Sequence, residues 1–456
     1  MTAYLMPIVQ PFVDNNGQPL AGGLVYTCIA GAASYTGSNL QTTWTDTAGT
    51  VANTNPIVLD SSGRCSMYGG TLPYKIYVFN SNNVPVGNPI DNVYPLSFSQ
   101  SIYTGISNLS PNKNLIDNAS FNVWQRGTSV AVPAGSRSCT ADRWASAPST
   151  GTPDLTGSSD TMTINGVSQP CLKVTNTSSV ASFAAGQYVQ PCYQELEGFS
   201  VYPYLQAGGA FTVSFWFAAS ATGNYAVALN NTDNTYSYVH LIKVASANTP
   251  QQYSFTVYIP SSGVWNCPNS NAAGMRLRIG SIGGSAYNAP SSDTWTRGNF
   301  FTTSTCANWC ASSWSYIKIA QVRIEQGTSL GVWNPLKYDK DLRRYQYFLP
   351  SWRGNLQPLG IAQATGATTA QLNLLFYSLT RVPPTGIFLS SPSHINYVQA
   401  SGTAIQATGL SFNLASTGAL GLLNVSGLSG LTAGQSGNVY SGDAAFLLLA
   451  TGAELL

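Results

Sequence analysis

The chain has 456 residues, more than one ordinary core accommodates, so two or three domains are expected. Charged residues make up 8%, against roughly 25% in an average soluble domain, and the net charge is +2. That balance gives no electrostatic basis for nucleic acid or an anionic membrane as partner, and it suits a particle-bound or extracellular surface built from amides and hydroxyls.

The opening MTAYLMPIVQPFVDNNGQPL has no basic region, and Pro7 and Pro11 interrupt its apolar residues, so no signal peptide is expected. No apolar run reaches the roughly 20 residues of a membrane-spanning helix. Residues 1–100 read as short strands between turn formers. GLVYTCIAG, TTWTD, PIVLD, RCSMYGG, YKIYVFN and NVPVGN are rich in Val, Ile, Tyr and Thr and bounded by Gly, Asn, Asp or Ser. Tyr74, Ile76 and Val78 alternate with Lys75, Tyr77 and Phe79, which predicts one apolar face and a small antiparallel β-sandwich. Residues 101–114, polar and marked by Gly and Pro, read as a linker.

A period of two runs from 115 to 336. FTVSFWFAAS sets Phe211, Val213, Phe215 and Phe217 on one face, and QQYSFTVYIP, MRLRIGSIGG and SYIKIAQVRIEQG repeat the pattern. Strands without helical interludes predict a jelly-roll sandwich. Residues 337–350 carry the densest charge. Tyr338, Leu342 and Tyr345 stand at helical spacing there, predicting a short amphipathic helix whose charges face solvent. From 351 to 456 only Arg353, Arg381, Asp443 and Glu454 are charged, among strand-like segments. So apolar a module, ending in AAFLLLATGAELL, is expected to bury its last strand between identical chains.

The inventory for catalysis is poor. Cys28, Cys65, Cys139, Cys171, Cys192, Cys267, Cys306 and Cys310 are scattered, and only the last two lie close, short of the four ligands of a zinc site. Buried free thiols are the leading expectation, with a Cys306–Cys310 disulfide or metal binding as alternatives. His240 and His394 are the only histidines and fall in separate domains. Glu195 and Glu197 share a strand face as a glycosidase might require, although the same spacing suits a solvent-facing pair. Asp339 and Asp341 read as surface charges. No nucleophile elbow, P-loop or zinc-protease motif occurs, so no catalytic residue, enzyme activity or cofactor is assigned. Aromatic residues offer more. Trp265, Trp295, Trp309 and Trp314 lie in loops rich in Asn, Ser and Thr, and an aromatic platform beside amides and hydroxyls suits a polyol. They are the candidate receptor-facing residues, against the alternative that each is a core or interface aromatic.

Three sets of residues carry a resemblance. VQPFVDNNGQPLAGGLVYTCIAG, TWTDTAGTVANTNPIVLDSSGR, YKIYVFNSNNVPVG and IDNV resemble the N-terminal virion-attachment domain of tailed-phage tail fibres and tailspikes, especially in short-tailed phages. The run T-D-x-x-G-T-x-x-x-x-N-P-I-V-L-D-x-x-G-R is its most specific part. NLIDNASFNVWQRGTS, TADRWA, FTVSFWFAAS and IKIAQVRIEQGTSLGVWNPLKYDKDLRRYQYF resemble the carbohydrate-binding-module-like jelly roll of phage tail proteins, with its Arg-Tyr-x-Tyr exit segment. RVPPTGIFL, LTAGQSGNVY and the terminal GAEL are similar to the β-rich C-terminal module that follows that jelly roll.

The resemblance implies an all-β homotrimer of the virion tail, made in the host cytoplasm. Residues 1–100 would dock on a tail adaptor, nozzle or portal-proximal protein. The jelly roll of 115–336, the helical connector of 337–350 and the module of 351–456 would face a host surface glycan or protein receptor. Nucleic acid and membrane insertion are not implied. A structural calcium near the first jelly-roll strand is one implication, with Asp117, Asn118 and Glu325 as candidate ligands, although Phe121 is followed by Asn122 rather than an acid. The alternatives are an adaptor fibre or a head or tail decoration protein. A capsule-degrading spike would call for a β-helix with repeats of about 20 to 25 residues, which the sequence lacks.

Overall fold

The computed structural model describes residues 4–5, 11–95, 114–260, 267–399, 401–413 and 418–455. Trp265 and all of the expected linker except Asn114 lie outside the described residues. The chain is all-β and divides into two compact units, Met1–Leu109 and Ser110–Leu456.

In the first unit the strands are β1 (Tyr4–Leu5), β2 (Leu24–Ile29), β3 (Ile57–Val58), β4 (Tyr68–Gly69), β5 (Tyr74–Phe79) and β6 (Ile90–Val93). They form a four-stranded antiparallel sheet, β3-β2-β5-β6, and a β1-β4 pair. The strands are short because local side-chain bonds turn the chain between them. Asp14, Asp46, Asp60 and Asn80 each accept backbone N–H groups two to five residues onward. Asp46 and Asp60 of the run that carries the resemblance are therefore turn builders. Gly63 in the same run is obligatory, since its φ is +71° and a Cβ would stand 2.4 Å from the Phe12 carbonyl oxygen. Val25, Ile57, Tyr74 and Ile76 lie in the core beneath. TTWTD and NVPVGN form isolated bridges at Trp44 and Pro85 instead of strands, because only single residues of these loops meet a partner.

In the second unit the chain begins with β7 (Ser129–Val132), β8 (Ser138–Cys139), β9 (Ala145–Pro148), β10 (Leu155–Ile164), β11 (Val167–Asn176) and β12 (Tyr188–Glu197). Helix α1 (Gly198–Ala207) follows, within a stretch read as purely strand-forming; Val201 and Leu205 anchor it in the core. Next come β13 (Gly209–Ala219), β14 (Gly223–Asn231), β15 (Tyr236–Val244), β16 (Gln251–Ile259), β17 (Ala273–Gly283), β18 (Trp295–Arg297) and β19 (Tyr316–Gln326). Two antiparallel sheets result, β16-β13-β19-β11-β10-β7 and β18-β15-β14-β17-β12-β9-β8. Phe211, Val213, Phe215 and Phe217 from one and Val227, Leu229, Leu277 and Ile279 from the other fill the space between them, as alternation requires of a jelly-roll sandwich.

The predicted helix is α2 (Tyr338–Gln346), with Tyr345 buried, Leu342 half-buried and Tyr338 exposed. Its charges are not all solvated: Asp341 is buried and Arg344 reaches an ion pair. Beyond it lie β20 (Ser351–Arg353), β21 (Pro358–Ala364), β22 (Thr369–Leu375), β23 (Gly386–Leu389), β24 (Ile395–Gln399), β25 (Ala404–Gln406), β26 (Gly409–Asn413), β27 (Leu420–Ser426), β28 (Ser436–Ser441) and β29 (Leu447–Thr451). They make a seven-stranded sheet, β25-β24-β28-β21-β22-β27-β26, and a three-stranded one, β20-β29-β23. The terminal apolar strand β29 is thus central within its own chain, with Leu448 and Ala450 buried in that module's core. A strand expected to be buried between identical chains is covered by its own module.

Candidate functional site

The outward face of the seven-stranded jelly-roll sheet carries a cleft of ≈ 470 Å³. Two strands build its floor. On β17 the sequence M-R-L-R-I turns Met275, Leu277 and Ile279 into the core, which leaves Arg276 and Arg278 on the other side. On β12 the parity changes partway. The register with β9 shifts between Gln190 and Tyr193, a bulge at Pro191, where a proline cannot donate to the ladder. That shift lets Tyr188 and Gln190 before it, and Tyr193 and Glu195 after it, all face the cleft while Val189, Cys192 and Leu196 stay inside. Glu195 sits directly opposite Arg276, and Tyr193 opposite Arg278.

Loops complete the walls. Arg137 precedes β8, its guanidinium lies 4.8 Å over the Tyr193 ring, and its Nη2 donates to Glu195 Oε1 at 3.0 Å. Arg276 Nε donates to the same oxygen at 2.7 Å. Tyr287 stacks on Phe301 at 4.6 Å, and Tyr188 meets both rings edge-on. Arg278 lies 5.0 Å over Phe301 and donates to Asn234 Oδ1 at 3.1 Å and to Asn299 Oδ1 at 3.4 Å.

The charge in this cleft is unbalanced. Three guanidiniums face one carboxylate among the described lining residues. Arg278 is 5% exposed, and its Nε has no hydrogen-bond partner. Burial, and after it the charge of Arg276, pushes the Arg278 guanidinium down to about 9, so it still carries its proton at neutral pH. Glu195 is 3% exposed at its side chain and holds two arginines, which explains why it is inside. Glu197, past a second register shift, ends β12 and accepts from the Tyr347 hydroxyl at 3.3 Å. The two glutamates therefore have separate surroundings rather than one shared site.

None of the described tryptophans proposed from sequence lines the cleft. Trp309 is 1% exposed in the sandwich core, its indole N–H donating to the Gly280 carbonyl at 3.0 Å, which corrects its reading as receptor-facing. Trp295 is half-buried on β18, beside Tyr238, with its N–H on the Tyr258 carbonyl. Trp314 is 69% exposed with a φ of +63°. Trp265 lies outside the described residues. The arginines that do line the cleft were visible as the alternation in M-R-L-R-I; Arg137 had no local signal. His240 contacts Asp293 and stacks on Phe255, and His394 contacts Ser390. Cys28, Cys139, Cys171, Cys192, Cys267, Cys306 and Cys310 are free thiols, so Cys306 and Cys310 are not joined to each other.

The motifs of the jelly roll converge elsewhere, where it meets the C-terminal module. Arg143 of the TADRWA stretch donates from Nε to Asp117 at 3.0 Å, from Nη1 to the Leu455 carbonyl at 3.0 Å and from Nη2 to the Glu195 carbonyl. Arg344 lies 2.6 Å from the other Asp117 oxygen. The Tyr345 hydroxyl accepts from the Asn118 N–H and donates to Asp341 at 3.1 Å. Arg126 pairs with Glu454, and Arg381 binds the carbonyls of Ala453 and Glu454. The side chains offered to calcium are therefore engaged: Asp117 by two arginines, Asn118 by the Val123 and Asp142 carbonyls, and Glu325 by Arg323 and the Gly331 N–H. They do not fit a cation site.

No family model matches this sequence, and no curated protein matches it. Solved structures similar in fold include the enzymatically active domain of tailspike protein 4 of bacteriophage CBA120, at 12% identity and a TM-score of 0.24, over 48% of this chain and 22% of that one. A CBM4 structure aligns at 14% identity and a TM-score of 0.24, over 46% of this chain and 99% of the other. TmCBM61 in complex with beta-1,4-galactotriose aligns at 9% identity and 0.23, over 47% and 99%. The chain thus spans about a fifth of the tailspike structure it matches.

Proposed function

We propose that this chain is a non-enzymatic tail fibre of a bacteriophage that holds a host-surface glycan in the cleft between β12 and β17. The observation that carries the reading is the cleft itself: a polar recess with the partly exposed rings of Tyr188 and Tyr287 in its wall, backed by the buried Tyr193 and Phe301, and with Gln190, Asn234, Asn299 and three arginines among its polar groups. Rings supply flat apolar contact for sugar faces, and the fixed polar groups supply orientation. Its one carboxylate is clamped by Arg137 and Arg276, which favours binding over general acid–base work.

In this reading residues 1–100 anchor the chain to the virion tail through the turn-rich unit, and three copies associate. Exposed Ile361, Leu375, Leu379 and Phe388 on the C-terminal module support the association, since water-facing apolar groups of this size favour burial against another copy. Three weak sites per fibre, with several fibres per particle, would raise avidity by about 10² to 10⁴. The test is an adsorption block. Purified full-length chain is incubated with host cells, and attachment of particles carrying the same chain is then counted. Dose-dependent protection is expected. Absence of protection by folded protein would replace this reading with that of an adaptor or decoration protein.

A further inference from the structure

We infer that the saccharide held in the cleft is acidic: its carboxylate or phosphate oxygens are received by Arg278, Arg137 and Arg276. The inference rests on the glycan reading above and adds the ligand's charge.

The first ground is the imbalance of three guanidiniums against Glu195 alone. A surface excess of this kind would be screened by water. Here Glu195 and Arg278 are buried, while Arg276 and Arg137 keep 17% and 37% of their side chains exposed, so contacts made by Arg278 are strengthened most. The second ground is the unpartnered Nε of Arg278. A buried guanidinium ordinarily has its donors filled, because each empty one costs desolvation without return. Arg278, which lines the cleft, instead has neutral amide acceptors on two nitrogens, no ion pair among the described residues, and a buried Nε without a hydrogen-bond partner. The planar fork of a guanidinium matches the paired oxygens of a carboxylate or phosphate.

The third ground is Glu195. Opposite Arg276 and bonded also to Arg137, it holds both guanidiniums in place and neutralises one charge. A neutral sugar needs no such excess, and the aromatic walls together with Gln190, Asn234 and Asn299 would serve it alone.

The experiment applies the full chain to an array of bacterial surface polysaccharides of known composition, some bearing uronates, some bearing phosphates and some neutral. Retention on acidic members and not on neutral ones is expected, with the uronate and phosphate arms telling the two anions apart. Raising NaCl from about 0.05 to 0.5 M should weaken retention, and Arg278→Gln should lower affinity about 10- to 100-fold. Thr150→Glu, on the exposed rim, places a negative charge there without disturbing the core and should lower acidic binding alone. Equal retention of neutral members, or indifference to both substitutions, would overturn the inference while leaving a glycan cleft. Failure to retain any polysaccharide would overturn the inference and the glycan reading together.

Discussion

Arg143 and Arg278 are both buried guanidiniums laid over a phenylalanine ring, Phe348 at 3.9 Å for the first and Phe301 at 5.0 Å for the second. At the junction between jelly roll and C-terminal module, Arg143 has a partner on each of its three nitrogens, a carboxylate among them, and it ties β12 to the penultimate residue of the chain. In the cleft, Arg278 has only amide oxygens, a free Nε and two like charges nearby. Similar chemistry is completed in one place and left incomplete in the other, and the proposed anion site rests on that contrast. Glu195 joins the two regions, its carbonyl accepting from Arg143 and its carboxylate facing the cleft.

The sharpest way to break this comparison is to remove each arginine in turn. Arg143→Ala strands Asp117 with Arg344 alone and removes the guanidinium donors from the Leu455 and Glu195 carbonyls, so a loss of about 3–5 kcal/mol is expected in denaturant unfolding of the Ser110–Leu456 unit. Arg278→Met should act in the opposite direction. A buried charge with no direct ion pair among the described residues is replaced by an apolar chain of similar length, and stability should hold or rise by about 1 kcal/mol while acidic-glycan retention falls. Comparable destabilisation by both substitutions would end the distinction.

Titration sharpens it further. Burial holds the Asp142, Asp341 and Glu197 carboxyls of the junction above the ordinary carboxylate range. Their folded pKa values exceed the unfolded ones, so their contribution is fully present below the unfolded value and is lost as pH rises through the folded value. Asp46 of the first unit is the reverse. The Val51 N–H, ahead of other bonds, holds its carboxyl below the ordinary range, and its contribution is lost as pH falls. Between about pH 4 and 7 the slope of melting temperature against pH should be less negative in Asp341→Asn than in the parent, since the amide oxygen still accepts from Tyr345. An unchanged slope would show that Asp341 does not titrate in that window.

Much of this architecture was legible from alternation. Phe211 to Phe217 and Met275 to Ile279 declare which face is core, and Asp46, Asp60 and Gly63 declare their turns through chemistry that acts within a few residues. The cleft was not legible, because its parts meet only after folding. Arg137 stands 58 residues from Glu195, and Arg276 stands 81 residues from it; neither spacing carries a local signal. The bulge at Pro191 hides Tyr193 further, by exchanging the faces of β12 in mid-strand. Tryptophan counts misled for a related reason. A loop rich in Asn and Ser reads as surface, yet the loop holding Trp309 folds over the end of the sandwich, and Asn308 fastens it to the Val180 carbonyl.

Trp314 is the smallest test and separates the cleft from aromatic exposure in general. It is the exposed one of the three described candidates, and its left-handed backbone is held by its own N–H on the Asn176 carbonyl, a bond that needs no indole. Trp314→Ala should therefore change stability by no more than about 0.5 kcal/mol and leave acidic-glycan retention unchanged, since the ring lies outside the cleft lining. Retention that falls with Trp314→Ala and survives Arg278→Gln would move the binding surface to the loop before β19, and the empty donor on Arg278 would then need a different explanation.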